Sequence, residues 1–232
     1  ADLDGWHPDH ADADVVPEHP LDRWVRSELD DTVVVVTEAL EQFDALTGAA
    51  RIERFVDDLS NWYVRRSRPR FWKSSDPAAH ATLHRCLVDL SRLLAPYCPF
   101  LSDELHRSLT GSSVHLADWP QPAGLRDEGL AERMAAARRL VTLGRAARSD
   151  AKVGIRQPLR RALLLHPGAE LDDEVRDEIR SELNVKELEE IESVAGVMSW
   201  VVIPSFKVLG PRLGAKVNEV KAALADADGT AL

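Results

Sequence analysis

Between Leu21 and Phe43, large apolar side chains return every three or four positions: Leu21, Trp24, Val25, Leu29, Val33, Val36, Leu40 and Phe43. A strand would need alternation by two, so this spacing predicts one long helix with a single buried stripe. Val33 to Val36 is locally strand-like, but the helical period runs through it on both sides. Pro20 opens the helix, where its missing N–H costs nothing.

A one-sided helix must bury its stripe against others. The spacing predicts a second helix over about 49–67, with Ile52, Phe55, Val56, Leu59, Trp62 and Tyr63 inward. Pro69 should end it, by biasing Arg68 away from the helical region. Asp76-Pro77 reads as an N-cap and first residue of a third helix, with Leu83, Leu87, Leu90 and Leu94 on its buried face. Pro96 and Pro99 stop it. A short fourth helix is expected over about 102–109, from Ser102 to a stop at Gly111, and a fifth over about 127–149.

The pattern then changes. Ala162-Leu-Leu-Leu165, between Pro158 and Pro167-Gly168, reads as a strand, and 172–184 as an exposed acidic helix. Val185 to Ile191 is only loosely periodic. Trp200 to Ile203 reads as a strand, and a helix from Pro211 to about Ala225 closes the chain. The expected fold class is mainly α: a linker over 1–20, a helical bundle over 21–152, and a small α+β unit over 153–232.

Several chemistries find no residues. No apolar run approaches the roughly 20 residues that span a bilayer. The first residues lack the basic and apolar regions of a signal peptide, and the absence of an initial Met predicts a fragment or a processed chain. Cys86 and Cys98 are too few for a disulfide framework and are expected as reduced core residues in a cytosolic protein. No Cys/His cluster has zinc spacing. His7 and His10 flank Pro8 in a loop and read as solvated. Phosphate-binding glycine loops and a nucleophile elbow are absent. Asp57 and Asp58 point about 100° apart on a helix, so they do not converge on one atom. No catalytic residue can be named.

Net charge is −10, yet the bases are concentrated. Five (Arg65, Arg66, Arg68, Arg70, Lys73) fall in 65–73 without an acid, and nine fall in 133–161 with only Asp150 opposing them. Residues 170–192 hold eleven acids against three bases. Local field rather than total charge decides where a polyanion docks. From Phe55 to Trp72 the chain passes from apolar packing residues to interleaved aromatics and arginines, a combination suited to phosphates and unpaired bases. The same residues also suit a bundle: Trp62 and Tyr63 continue the apolar stripe, and the arginines suit a solvated helix end.

Phe55-Val-Asp-Asp-Leu-Ser-Asn-Trp-Tyr-Val-Arg-Arg-Ser-Arg68 resembles the signature helix of the anticodon-binding bundle in isoleucyl-tRNA synthetases. Five further segments resemble that family in the same order: Leu3–Trp6, Leu21–Val25, Leu94–Leu105, Val114–Pro120 and Lys152–Leu159. Val114–Pro120 corresponds to a strand and loop there, and Lys152–Leu159 to the entry into a junction domain. Valyl-, leucyl- and methionyl-tRNA synthetases share the bundle. Ser60 to Arg68 together with Arg156-Gln-Pro-Leu159 favour the isoleucyl family, with the equivalent valyl domain as the alternative.

The resemblance implies a parent enzyme that activates isoleucine with ATP and esterifies it to tRNA, with magnesium and a candidate zinc outside this segment. The parent's catalytic signatures, editing domain and C-terminal extension are missing, so the segment itself is expected to be inactive and without cofactors. Expected partners are isoleucine tRNA and the catalytic domain of the same chain, with no membrane, in a cytoplasmic monomer. The candidate tRNA contacts are Asn61, Arg65, Arg66, Arg68, Arg70, Trp72, Lys73, Arg145, Arg148, Lys152 and Arg156. The acidic 170–192 face supports a different reading, a structural or protein-interaction module.

Overall fold

A computed structural model of the chain describes residues 6, 17–72, 76–165, 170–193 and 214–216. The protein is mainly α: α1 (Pro20–Glu41), α2 (Ala45–Asp57), a π-helical segment (Asp58–Val64), α3 (Arg65–Trp72), α4 (Pro77–Leu94), α5 (Pro99–Thr110), α6 (Glu128–Asp150) and α7 (Asp173–Leu183). Two strands, β1 (Leu159–Leu165) and β2 (Val185–Ile191), pair in parallel with Leu159 opposite Val185 and Leu165 opposite Ile191. α7 supplies the crossover that parallel pairing requires. The chain forms two compact units, one of residues 1–141 with 171–179 and the other of 142–170 with 180–232.

In the first unit, Leu21, Trp24, Val25, Leu29, Val33 and Val36 of α1 are buried as the stripe predicts. Each such side chain contributes about 1.5–3 kcal/mol on leaving water. Ile52, Phe55, Leu59, Trp62 and Tyr63 pack from the next segments, and Leu130, Met134, Ala137 and Val141 from the first part of α6. The Asp76 side chain accepts from the Ala78 N–H, which is the predicted cap of α4.

Several expectations need correction. α1 stops at Glu41, so Phe43 lies outside it with φ 58° and is almost wholly exposed. Val56 faces solvent, not the stripe, and Cys98 is exposed while Cys86 is buried. Pro69 does not end its helix, because Phe71 packs edge-on to Tyr63 and His80 while Arg70 is held by acids. These tertiary contacts outweigh the lost backbone bond. α5 begins at Pro99, not Ser102, with Pro99 at the tolerated first position.

On α4 only Leu90 of the four predicted leucines is fully buried; Ala79, Thr82, Cys86 and Leu93 share that role because α4 packs against α1, α3 and α5 together. Val114–Leu116 is a 3₁₀ turn rather than a strand. The expected strand at Trp200–Ile203 lies outside the described residues, as does the closing helix apart from a 3₁₀ turn at Gly214–Lys216. No described helix is long and apolar enough to cross a membrane.

Candidate nucleic-acid interface

The π-helical segment sets the geometry of the Phe55–Trp72 stretch. π turns are rare and recur at functional sites. Here the segment turns Asp58, Leu59, Trp62 and Tyr63 inward and leaves Asn61 outward. Asp58 pairs with Arg138 of α6, and the Arg138 guanidinium also lies 5.8 Å from the ring centroids of Trp24 and Trp62. Trp62 and Tyr63 are therefore core residues. Asp57 remains exposed and accepts from the Asn61 amide at 2.5 Å.

The basic island divides. Arg66 reaches Glu178 of α7, its Nε donating at 2.7 Å. Arg70 donates twice to Asp22 of α1, at 2.7 Å each, and through Nε to Asp76 at 2.8 Å. Burial opposes its charge, but the bonds from Asp22 and Asp76 outweigh that and raise its pKa further. The Tyr63 hydroxyl donates to the same Asp22 at 2.8 Å; burial first and Asp22 second push the phenol's pKa up. Burial also raises Asp76, but the hydrogen bond from Arg70 wins and leaves its pKa lowered. This Asp22–Tyr63–Arg70–Asp76 cluster ties α1, α3 and the start of α4 together. Sequence reading missed it because Asp22 and Arg70 are 48 positions apart along the chain.

What remains outward is a stripe. Asn61, Arg68 and Trp72 are exposed and Arg65 is half-buried. Their spacing of four, three and four keeps them on one helix face over about 16 Å. Arg65 donates to the Asn61 carbonyl at 2.9 Å, and its guanidinium lies 5.9 Å from the Trp62 ring centroid. Trp72 is 78% exposed, so its indole is available for stacking. Lys73 lies outside the described residues.

In the second unit, Arg145 pairs with Glu182. Arg148 is buried and donates to the carbonyls of Gly154 and Gln157, so it shapes the loop that follows α6. Lys152 and Arg156 of that loop are exposed, Lys152 with a left-handed φ of 57° just beyond the helix end. Among the described residues no group of three or more His, Cys, Asp or Glu could hold a metal ion.

The exposed stripe falls inside a region of recognisable ancestry. Residues 22–163 match the family described as the anticodon-binding domain of tRNA ligase. The chain is 45% identical to the isoleucine–tRNA ligase of Thermobifida fusca over 99% of its length and 23% of the relative's. It is 43% identical to that of Deinococcus radiodurans, over all of this chain and 22% of the relative, and 42% identical to that of Thermus thermophilus, over 88% and 21%. The chain thus spans less than a quarter of the length of these curated relatives. With the match covering more than half of its length, the chain belongs to the family of anticodon-binding domains of tRNA ligases.

Proposed function

We propose that this chain is the tRNA-binding part of an isoleucine–tRNA ligase, and that the face carrying Asn61, Arg65, Arg68 and Trp72 lies against the tRNA. The observation that carries the reading is that stripe: exposed base, amide and indole groups in line, while Arg66 and Arg70 are engaged with acids. Guanidinium groups neutralise phosphate, and an exposed indole stacks on an unpaired base whatever its identity. Lys152 and Arg156 form a second, separate set of backbone contacts, with Lys73 extending the first, while Arg145 is held by Glu182. Arg66, Arg70 and Arg148 support these surfaces from within. The parent's isoleucine activation with ATP and magnesium belongs to other parts of the protein. The relatives named isoleucine–tRNA ligase favour isoleucine over valine as the amino acid.

The test uses the full-length protein. Arg68→Glu and Trp72→Ala should each raise KM for isoleucine tRNA by about tenfold or more, since one stacked base is worth ~1–3 kcal/mol. Isoleucine-dependent ATP–pyrophosphate exchange, which needs no tRNA, should stay at the wild-type rate. Losing the Arg68 contact should also flatten the salt dependence of tRNA affinity by about one unit of slope. An unchanged tRNA KM in both variants would sink the reading and favour a protein-interaction module. Charging of valine tRNA instead of isoleucine tRNA would move the assignment to the valyl enzyme.

A further inference from the structure

Three turns of the first unit meet at one end of the bundle, and they expose apolar side chains with no described cover. The α1–α2 corner presents Phe43 and Leu46, the start of α5 presents Phe100 and Leu101, and the 3₁₀ turn after α5 presents Leu116. Phe43 is 96% exposed and Phe100 91%.

The turns are neighbours. The Tyr97 hydroxyl occupies the space a Cβ on Gly48 would need, beside Ala39, which puts the α4–α5 corner against the α1–α2 corner. The Asp103 carboxylate of α5 accepts from Ser113 and from the Val114 N–H, and the Trp119 indole N–H donates to Thr37 of α1 at 2.8 Å. Between the end of α4 and this turn is a hollow of about 280 Å³. Ala95, Pro96, Val114 and Trp119 are among its lining residues, and so is Arg92, whose Nε is buried without a hydrogen-bond partner.

Two physical facts single this end out. Large exposed apolar groups are ordinary one by one, but five of them on three neighbouring turns beside a hollow mark an interaction surface. Phe43 is also held at φ 58°, a left-handed conformation costly for any residue with a Cβ, at a position where Gly or Asn would relieve it.

The rim decides the kind of occupant. Glu38, Glu41, Asp44, Glu104 and Asp118 are exposed around these turns. Residues 38–47, 97–104 and 115–118 contain no Lys or Arg. The bases that flank them, Arg92 and Arg107, are paired with Asp89 and Asp103. Such a rim repels RNA phosphate and repels a second copy of itself, and it attracts cations.

We propose that this end of the bundle is a docking site for a protein segment of basic amphipathic character: apolar anchors that cover Phe43, Phe100 and Leu101 and enter the hollow, flanked by Lys or Arg that meet the acidic rim. Helix-in-groove recognition works through this division of labour. The surface is distinct from the Asn61–Trp72 stripe and stands whether or not that stripe binds tRNA.

The test takes full-length protein and two fluorescent 18-residue peptides that share a Leu pattern at helical spacing, one with Lys and one with Glu at the polar positions. Fluorescence anisotropy should show the Lys peptide binding and the Glu peptide not. The charge-neutral triple change Phe43→Ala, Phe100→Ala, Leu101→Ala should weaken the Lys peptide at least tenfold without moving the thermal melt, since all three side chains are exposed. Trp72→Ala, elsewhere on the surface, should leave it unchanged. Equal binding by the triple variant would overturn the proposal, because the attraction would then be diffuse charge. So would concentration-dependent dimerisation that the triple variant abolishes, which would make a second copy the occupant. So would a loss of tRNA affinity in the triple variant, which would make the occupant RNA.

Discussion

Three donors converge on Asp22: the Tyr63 hydroxyl and both terminal nitrogens of Arg70. The carboxylate is wholly buried, and Arg70 is the cation that faces it. Removing one member of a buried pair strands the other, which costs about 3–5 kcal/mol, whereas replacing both by apolar groups costs far less. Arg70→Met should therefore lower unfolding free energy by about that amount, and Asp22→Leu with Arg70→Met should recover much of it; urea denaturation measures both. A double variant no more stable than the single one would show that Asp76 and Tyr63, not Asp22, are the partners that matter. The same cluster shows how far residue identities reach. The basic-aromatic character of Phe55–Trp72 is visible in sequence, and so is the exposure of Trp72 beyond the apolar stripe. What separates Arg68 from Arg70 is not, because Glu178, which engages Arg66, and Asp22, the buried partner of Arg70, stand 112 and 48 positions away. Charge counting treats all five bases alike.

Helices were legible where an apolar stripe and its caps agree, as along α1 and at the Asp76 cap of α4. They were misread where tertiary contacts overrule a local signal. Pro69 signals a stop, yet Phe71 and Arg70 have partners that hold α3 for another turn. The π-helical segment leaves no trace in spacing, since it shifts the face by only a fraction of a turn while Trp62 and Tyr63 stay apolar. Gly144 is a different case: mid-helix in α6, it costs about 1 kcal/mol relative to Ala. The reason is close approach, for a Cβ there would lie 2.6 Å from Leu183 Cδ2 of α7. Gly144→Val should destabilise by about 1–3 kcal/mol through overpacking, and adding Leu183→Ala should restore part of it. If the two changes simply add in urea denaturation, the contact is not what keeps the glycine there.

At the scale of the whole molecule, many acids of this negative chain are not spare charge. Asp22, Asp58, Asp76 and Glu178 hold arginines, and Asp103 accepts from Arg107, Ser113 and the Val114 N–H. Stability should therefore respond to acid in two stages. His19 and His106 act first. Burial, then Arg70, lowers the His19 pKa from 6.5; burial, then Arg92, lowers that of His106, whose Nδ1 lies 2.8 Å from the Ser91 hydroxyl. A lowered pKa means the unfolded chain takes up the proton first. Stability is thus full above about pH 6.5 and falls as pH drops from there towards the folded values, by at most ~1.4 kcal/mol per pH unit for each histidine. The carboxylates follow. The hydrogen bond from Arg107, then that from Ser113, holds Asp103 down at about 2, and Asp76 is lowered as well, so their contribution persists to about pH 3.8 and is lost below it. Thermal melts from pH 8 to 3 should show Tm declining first as pH drops below about 6.5, then again below about 3.8. His106→Gln keeps a donor for Ser91 but cannot titrate, so its melts should decline less steeply over the first stage. An identical slope in that variant would remove His106 from the account and leave the first stage to His19.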